Sequence, residues 1–319
     1  MQKVIITGGA GFIGSHLADR LVAEGKEVVV IDNLSSGRLD FLEKCKGKKN
    51  FKFVKADLHR PENYSSELAG ADVIFHLAAN PDVRAAVTDT RIEINQGIHS
   101  TYSILEQARK RDVSAVVFSS SSVVYGEPRV VPVAEDYGPL TPISLYGASK
   151  LAGEGLLSAY CGTFGLSGIA YRFANVVGDR STHGVIHDFS LKLRKDPSRL
   201  EVLGDGRQTK SYIIVGECVD AILFGAAKRL PKISSQMEVY NIANRDWVSV
   251  AEIARQVIAA SGSKGTKIQF TGGKRGWPGD VPKVMLDGAK LAKLGWKTKL
   301  NSLQTVKAAA KIIWDETGN

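Results

Sequence analysis

The chain has 319 residues, of which 44% are hydrophobic and 24% charged, and a formal net charge of +9. These proportions exclude general disorder, and no apolar run approaches the ~20 residues a membrane helix needs. Cys45, Cys161 and Cys218 stand far apart with no C-x-x-C pair, which excludes a disulfide framework and a cysteine zinc site and fits a reducing compartment. The opening MQKVIITGGAGF lacks the apolar stretch and cleavage site of a secretory leader, so the expected location is cytoplasmic. The positive charge leaves two readings open, a nucleic-acid surface or a solvated basic face that helps capture an anionic small molecule.

In chain order, β-branched runs at 4–6, 28–31, 51–54, 73–75 and 116–118 alternate with helical periods at 12–24 and 98–111. A further helix over 145–164 leads to a strand at 168–173. Continuous apolar strands alternating with helices predict a parallel sheet covered on both faces. Beyond about residue 175 the pattern loosens into Gly- and Pro-containing loops around shorter elements, with a helix over 216–229. The expected fold is α/β: a Rossmann-type doubly wound parallel sheet with a smaller α/β substrate-binding domain. The expected boundaries are 1–174 and 175–319, with about 212–243 returning to the first domain.

The first strand runs directly into Thr7-Gly8-Gly9-Ala10-Gly11-Phe12-Ile13-Gly14-Ser15, where Gly8, Gly11 and Gly14 form G-x-x-G-x-x-G. Such glycines allow a tight turn, close approach to a pyrophosphate and packing of helix on strand, while the helix N-terminus supplies unpaired N–H groups. Asp32 closes the second strand, where a carboxylate accepts hydrogen bonds from a ribose diol and repels a 2′-phosphate, so NAD is favoured over NADP. Arg38 nearby is the counter-indication, since it would suit a 2′-phosphate.

Tyr146 and Lys150 form Y-x-x-x-K at the start of a helix, which places both side chains on one face a turn apart. A phenol is a poor base near neutrality, but a neighbouring ammonium favours its phenolate. Ser119, Ser120, Ser121 and Ser122 close the preceding strand, and ligands in such sheets bind at the carboxyl ends of strands. A Ser there is placed to meet the Tyr across a substrate.

With these segments in view, the chain resembles the nucleotide-sugar epimerase branch of the extended short-chain dehydrogenase/reductases. The likeness covers nearly the whole chain through TGGAGFIGS, VIDNLSSG, KADL, HLAA, FSSSSVVYG, YGASK, YRFANVVG, GDGRQTKSYI and RGWPGDVP. The resemblance implies NAD held by Gly8, Gly11, Phe12, Ile13, Gly14, Asp32, Asn33, Ser36, Gly37, Asp57, Leu58, Leu77, Ala78, Ala79, Asn95, Ser119, Ser120, Tyr146, Lys150 and Phe173. It implies Tyr146 as the base, Lys150 as its tuner and Ser121 as the partner of the sugar O4. Around a UDP-hexose it places Arg84, Ser121, Ser122, Tyr146, Asn175, Val185, Ile186, Lys210, Tyr212, Arg275 and Asp280. It implies no metal, no nucleic-acid or membrane partner, and a homodimer formed through the helices at 98–111 and 145–164.

The implied reaction interconverts UDP-glucose and UDP-galactose through a 4-keto sugar, with the N-acetylhexosamine pair also open because Val284 stands where some relatives carry a bulky aromatic residue. Lys210-Ser211-Tyr212 replaces the usual Arg-Asp-Tyr, leaving a point charge where a guanidinium fork is usual. A 4,6-dehydratase would need an acid before Val124-Tyr125-Gly126, where this chain has Ser122-Val123. A glucuronate epimerase or decarboxylase stays open through Arg84, and a non-catalytic NAD-binding protein stays open because fold does not fix function. His183 and His187 stand four apart but lack a third ligand, and His76 reads as a packed strand-end residue. Much of the basic excess lies in the last stretch, from Lys264 to Lys311, where part of it would attract a diphosphate.

Overall fold

The structure, a computed structural model, describes residues 1–276, 279, 281 and 283–318. They divide into two compact units, one of Met1–Val124, Leu145–Arg172 and Ile222–Tyr240, the other of Tyr125–Ser144, Phe173–Ala221 and Asn241–Asn319.

The first unit is built on β1 (Lys3–Thr7), α1 (Phe12–Ala23), β2 (Glu27–Asp32), β3 (Phe51–Lys55), β4 (Val73–His76), α2 (Ser100–Lys110), β5 (Ala115–Ser121), α3 (Leu145–Phe164) and β6 (Ser167–Phe173). The seven-stranded sheet runs β11-β6-β5-β4-β1-β2-β3, where β11 is Met237–Ile242. Its ladders β1–β2, β1–β4, β2–β3 and β4–β5 are parallel. The doubly wound sheet therefore stands as the strand pattern predicts. Ile5, Val29, Ile74, Val116 and Phe118 are buried in one cluster with Ile104 and Leu105 of α2 and Leu157 and Cys161 of α3. Val4, Ile6, Val28, Val30, Phe75 and Val117, which point to the opposite face, are buried as well, and burial on both faces explains why these strands are apolar throughout rather than alternating. Strand order reverses between β1 and β4, which opens a crevice at their carboxyl ends.

The second helical period differs from expectation. Glu93–His99 is a π-helix, and the α-helix proper begins at Ser100. Seven residues of π geometry are long for a form that usually appears as a single widened turn and often marks a functional site.

The second unit contains β7 (Asn175–Val177), α4 (Val185–Lys195), β8 (Arg199–Val202), β9 (Thr209–Lys210), β10 (Tyr212–Ile214), β12 (Val248–Ser249), α6 (Val250–Ser261), β13 (Lys267–Phe270), β14 (Lys283–Val284), α7 (Ala289–Lys293) and α8 (Ser302–Thr317), and α5 is Val215–Arg229. Its core joins Ile186, Phe189 and Leu193 of α4 with Ile253 and Val257 of α6 and Val306 and Ile313 of α8. Asn301 begins α8 with a reciprocal capping box to Gln304. No helix among the described residues is long and apolar enough to cross a membrane.

Candidate active site

The glycine loop is shaped by close backbone approach. A Cβ on Gly14 would lie 2.3 Å from the Gly8 oxygen, and one on Gly8, at φ +69°, would lie 2.6 Å from the Ala78 nitrogen. The loop after β1 thus presses against Leu77 and Ala78 after β4, where the strand order reverses. Gly11 opens α1 without a side-chain cap, so the first-turn amides, Phe12 and Ile13 among them, have no side-chain acceptor. Amides of this kind at a positive helix end are what a pyrophosphate requires.

Asp32 is buried at the end of β2, where its carboxylate accepts from the Ala10 and Leu34 amides at 3.0 and 2.8 Å. Burial raises its pKa, and the two amides pull it back down. A Cβ on Gly37 would come within 2.8 Å of this carboxylate, which accounts for the glycine. Asn33 reaches Asp57 at 3.4 Å beside buried Leu58, and Ser36 is exposed. Arg38 is turned onto Asp40 at 2.6 Å and over the Phe41 ring. Its guanidinium is engaged there rather than at Asp32. Asn95 lies in the π-helix, its carbonyl facing the His59 ring nitrogen at 2.9 Å. The cradle at Gly8, Gly11 and Gly14, the uncapped amides and the fixed Asp32 together fit a dinucleotide with an unsubstituted adenosine ribose.

The end of β5 and the first turns of α3 bring four predicted residues together. Lys150 is buried, its ammonium donating to the Ser119 carbonyl at 2.7 Å and lying 5.6 Å from the centre of the Tyr146 ring. Ser121 closes β5 near enough to the Tyr146 hydroxyl to favour its phenolate. Burial, and then the charge of Glu93, push the Tyr146 hydroxyl well above its ordinary value, while Ser121 lowers it. Burial pulls Lys150 down to about 8, opposed by Glu93. α3 can lie this close to β5 because Gly153 faces Phe118, where a Cβ would meet the ring at 2.4 Å.

Ser120 is directed elsewhere. Its hydroxyl donates to Glu154 at 2.5 Å, and Glu154 holds Arg172 of β6 through contacts of 2.9 and 2.7 Å. Glu154 lies one turn beyond Lys150 on the same helix face. His76 is 1% exposed between Thr7 at 2.7 Å and Thr101 at 3.1 Å. The Thr101 hydroxyl donates to the Gly97 carbonyl at 2.6 Å, so His76 Nε2 must carry the proton and Nδ1 accepts from Thr7. It is a packed histidine, as the sequence suggests.

Four buried polar residues that the sequence reading missed support this group: Glu93, Asn80, Glu154 and Arg172. The i, i+4 relation of Glu154 to Lys150 was the one available signal.

In the second unit, Asn175 donates to the Ser211 carbonyl at 3.2 Å. Val185 and buried Ile186 open α4, and Tyr212 is buried in β10. Lys210 lies in β9, paired with buried Val284 of β14. Arg275 is exposed and holds Glu127 at 2.6 Å. Phe173 is buried at the end of β6, while Ser122 begins a short 3₁₀ turn in the first unit. Arg84 lies 3.7 Å from Asp82 in the loop after β4. Asp280 lies outside the described residues. Among the described residues, no cluster of three metal-ligating side chains occurs.

The profile of the NAD dependent epimerase/dehydratase family matches residues 4–243. The chain belongs to that family, and NAD is its cofactor. Among curated relatives of this epimerase/dehydratase, a putative UDP-glucose 4-epimerase of Methanocaldococcus jannaschii is 31% identical over 99% of both chains. A crystal structure of a UDP-galactose 4-epimerase superposes with a TM-score of 0.89 at 40% identity over 99% of each chain. A UDP-glucuronic acid 4-epimerase from Bacillus cereus, solved with UDP-glucuronic acid and NAD, gives 0.88 at 27% identity over 99% of this chain and 100% of that one. The glycine loop, Asp32, Ser121, Tyr146 and Lys150 all lie within the matched span.

Proposed function

We propose that the protein is a UDP-sugar 4-epimerase that interconverts UDP-glucose and UDP-galactose. The observation that carries this reading is the Ser121–Tyr146–Lys150 group at the carboxyl end of β5, in the same unit as a dinucleotide cradle. In this reading Tyr146 accepts the proton of the sugar 4-hydroxyl and Ser121 shares that hydrogen bond. Lys150, fixed by Ser119, supplies the positive charge that favours the phenolate. Bound NAD supplies the hydride acceptor and donor at C4. Tyr146 then returns the proton after the keto sugar has turned, and no net oxidation results.

Asn175, Val185, Ile186, Lys210, Tyr212 and Arg275 are proposed for the diphosphate and nucleoside. Arg275 would leave Glu127 to do so. Buried Val284 leaves the N-acetylhexosamine pair open. UDP-glucuronate is a second reading, favoured by the likeness to the Bacillus cereus enzyme. Tyr102 and Phe164, exposed on α2 and α3, support the homodimer proposal, which sedimentation tests. Incubation with each UDP-hexose and with UDP-glucuronate, followed by separation of products, tests the reading. Conversion of UDP-galactose to UDP-glucose is expected, and the absence of any UDP-sugar interconversion would refute it.

A further inference from the structure

Glu93, the first residue of the π-helix, is 2% exposed. A buried carboxylate is costly unless it is hydrogen-bonded and electrically compensated. Both of its hydrogen-bond donors are neutral: Ser149 Oγ at 2.7 Å and Asn80 Nδ2 at 3.3 Å. Ser149 immediately precedes Lys150, so the carboxylate is tied to the turn of α3 that carries the proton-transfer pair. The position is tightly enclosed, since a Cβ on Gly97, one turn along the π-helix, would come within 2.7 Å of Ser149 and 3.4 Å of the Glu93 carboxylate. Ser149 Oγ also stands 2.9 Å from the Tyr146 carbonyl, so the carboxylate sits against the turn that carries both Tyr146 and Lys150, where its charge raises the pKa of each.

We propose that Glu93 is a positioning residue for the Tyr146–Lys150 pair, acting through Ser149 and through its own charge. This rests on the reading of Tyr146 and Lys150 as the proton-transfer pair. The negative charge keeps Lys150 an ammonium and holds the proton on Tyr146, so it moves both titrations to higher pH together. The other titratable groups on the surrounding elements include His76 of β4, held neutral; Glu154 of α3 with Arg172 of β6, a closed ion pair; Glu106 of α2, paired with Arg109, Lys110 and Tyr160 of α3; Tyr102 of α2 and Cys161 of α3; Asp89 with Arg91 before the π-helix; Asp82 and Arg84 after β4; and His99 in the π-helix, beside His59. Among the described residues, Glu93 alone of these acts on both members of the pair.

The test is carbon-13 nuclear magnetic resonance of lysine-labelled protein, with the Lys150 signal assigned by its loss in Lys150→Met. In Glu93→Gln, which keeps the shape and removes the charge, the Lys150 midpoint is expected to fall by about half a pH unit or more. Glu93→Ser removes the same charge with a smaller side chain and serves if Gln does not fold. Glu93→Asp keeps the charge and is expected to hold the midpoint near that of the wild type. A folded Gln or Ser variant whose Lys150 titrates as in the wild type overturns the proposal, and so does an Asp variant whose midpoint falls as far as theirs. The readout is a titration and not turnover, so failure of the wild type to convert any UDP-sugar would count against the proposed function alone.

Discussion

Lys150 Nζ donates to the backbone carbonyl of Ser119 at 2.7 Å, which ties the ammonium on α3 to the end of β5. The carbonyl fixes the charge beside Tyr146 without neutralising it, whereas a carboxylate there would have done so. Burial holds Lys150 down to about 8, so the ammonium is present below that pH and is lost as pH rises through it. The rate of a UDP-sugar reaction is therefore expected to decline above about pH 8. Lys150→Met should lower kcat by about 10²- to 10⁴-fold and abolish that decline. An unchanged alkaline limb in this variant would show that another group titrates there.

Arg172 and Glu154 form an ion pair with both side chains about 95% buried. Replacing one member leaves an uncompensated charge in a low-dielectric interior. Glu154→Ala should cost about 3–5 kcal/mol by urea unfolding, whereas an apolar replacement of both residues should cost much less. Ser120→Ala removes only the hydroxyl that donates to Glu154 and should cost about 1–3 kcal/mol.

His76 is held neutral, its pKa pulled down to about 3 by burial and then by Lys150. The unfolded chain takes up a proton near pH 6.5 and the folded chain does not, so stability falls as pH drops from about 6.5 towards 3. Thermal unfolding from pH 7 to 5 should show this loss, and His76→Gln should reduce the slope. An identical slope in the two proteins would assign it to other groups.

Gly14 and Gly155 make a paired test of the cofactor cradle. A Cβ at Gly14 would lie 2.3 Å from the Gly8 oxygen, whereas one at Gly155 meets nothing within 4 Å. Gly14→Ala should weaken NAD binding at least tenfold in calorimetry. Gly155→Ala should bind normally and gain about 0.5–1 kcal/mol from helix propensity.

The glycine loop and the proposed catalytic pair are legible because both are local: Gly8 to Gly14 join one strand to one helix, and Tyr146 and Lys150 share one face of α3. Asp32 was legible from its place at the end of a strand. Glu93 was not, because the residues that bury it, Asn80 and Ser149, come from a distant loop and helix. The π-helix at Glu93–His99 was also hidden, since a search for 3.6-residue periodicity extends an α-helix backward or stops it and does not register a wider turn. Nothing local marks Arg172, because its partner Glu154 comes from α3. In the second unit the residues at Asn175, Lys210 and Arg275 rest on the family resemblance, because short loops carry no periodic signal of their neighbours.

The most direct measurement of the central claim compares wild type with Tyr146→Phe. Both are incubated with UDP-galactose and NAD, the sugar nucleotides are separated, and NAD binding is measured on the same preparations. The account predicts that the wild type forms UDP-glucose and that the Phe variant binds NAD normally while its turnover falls by at least about 10²-fold. A Phe variant that turns over at the wild-type rate, or a wild type that leaves UDP-galactose untouched while binding NAD, would contradict it.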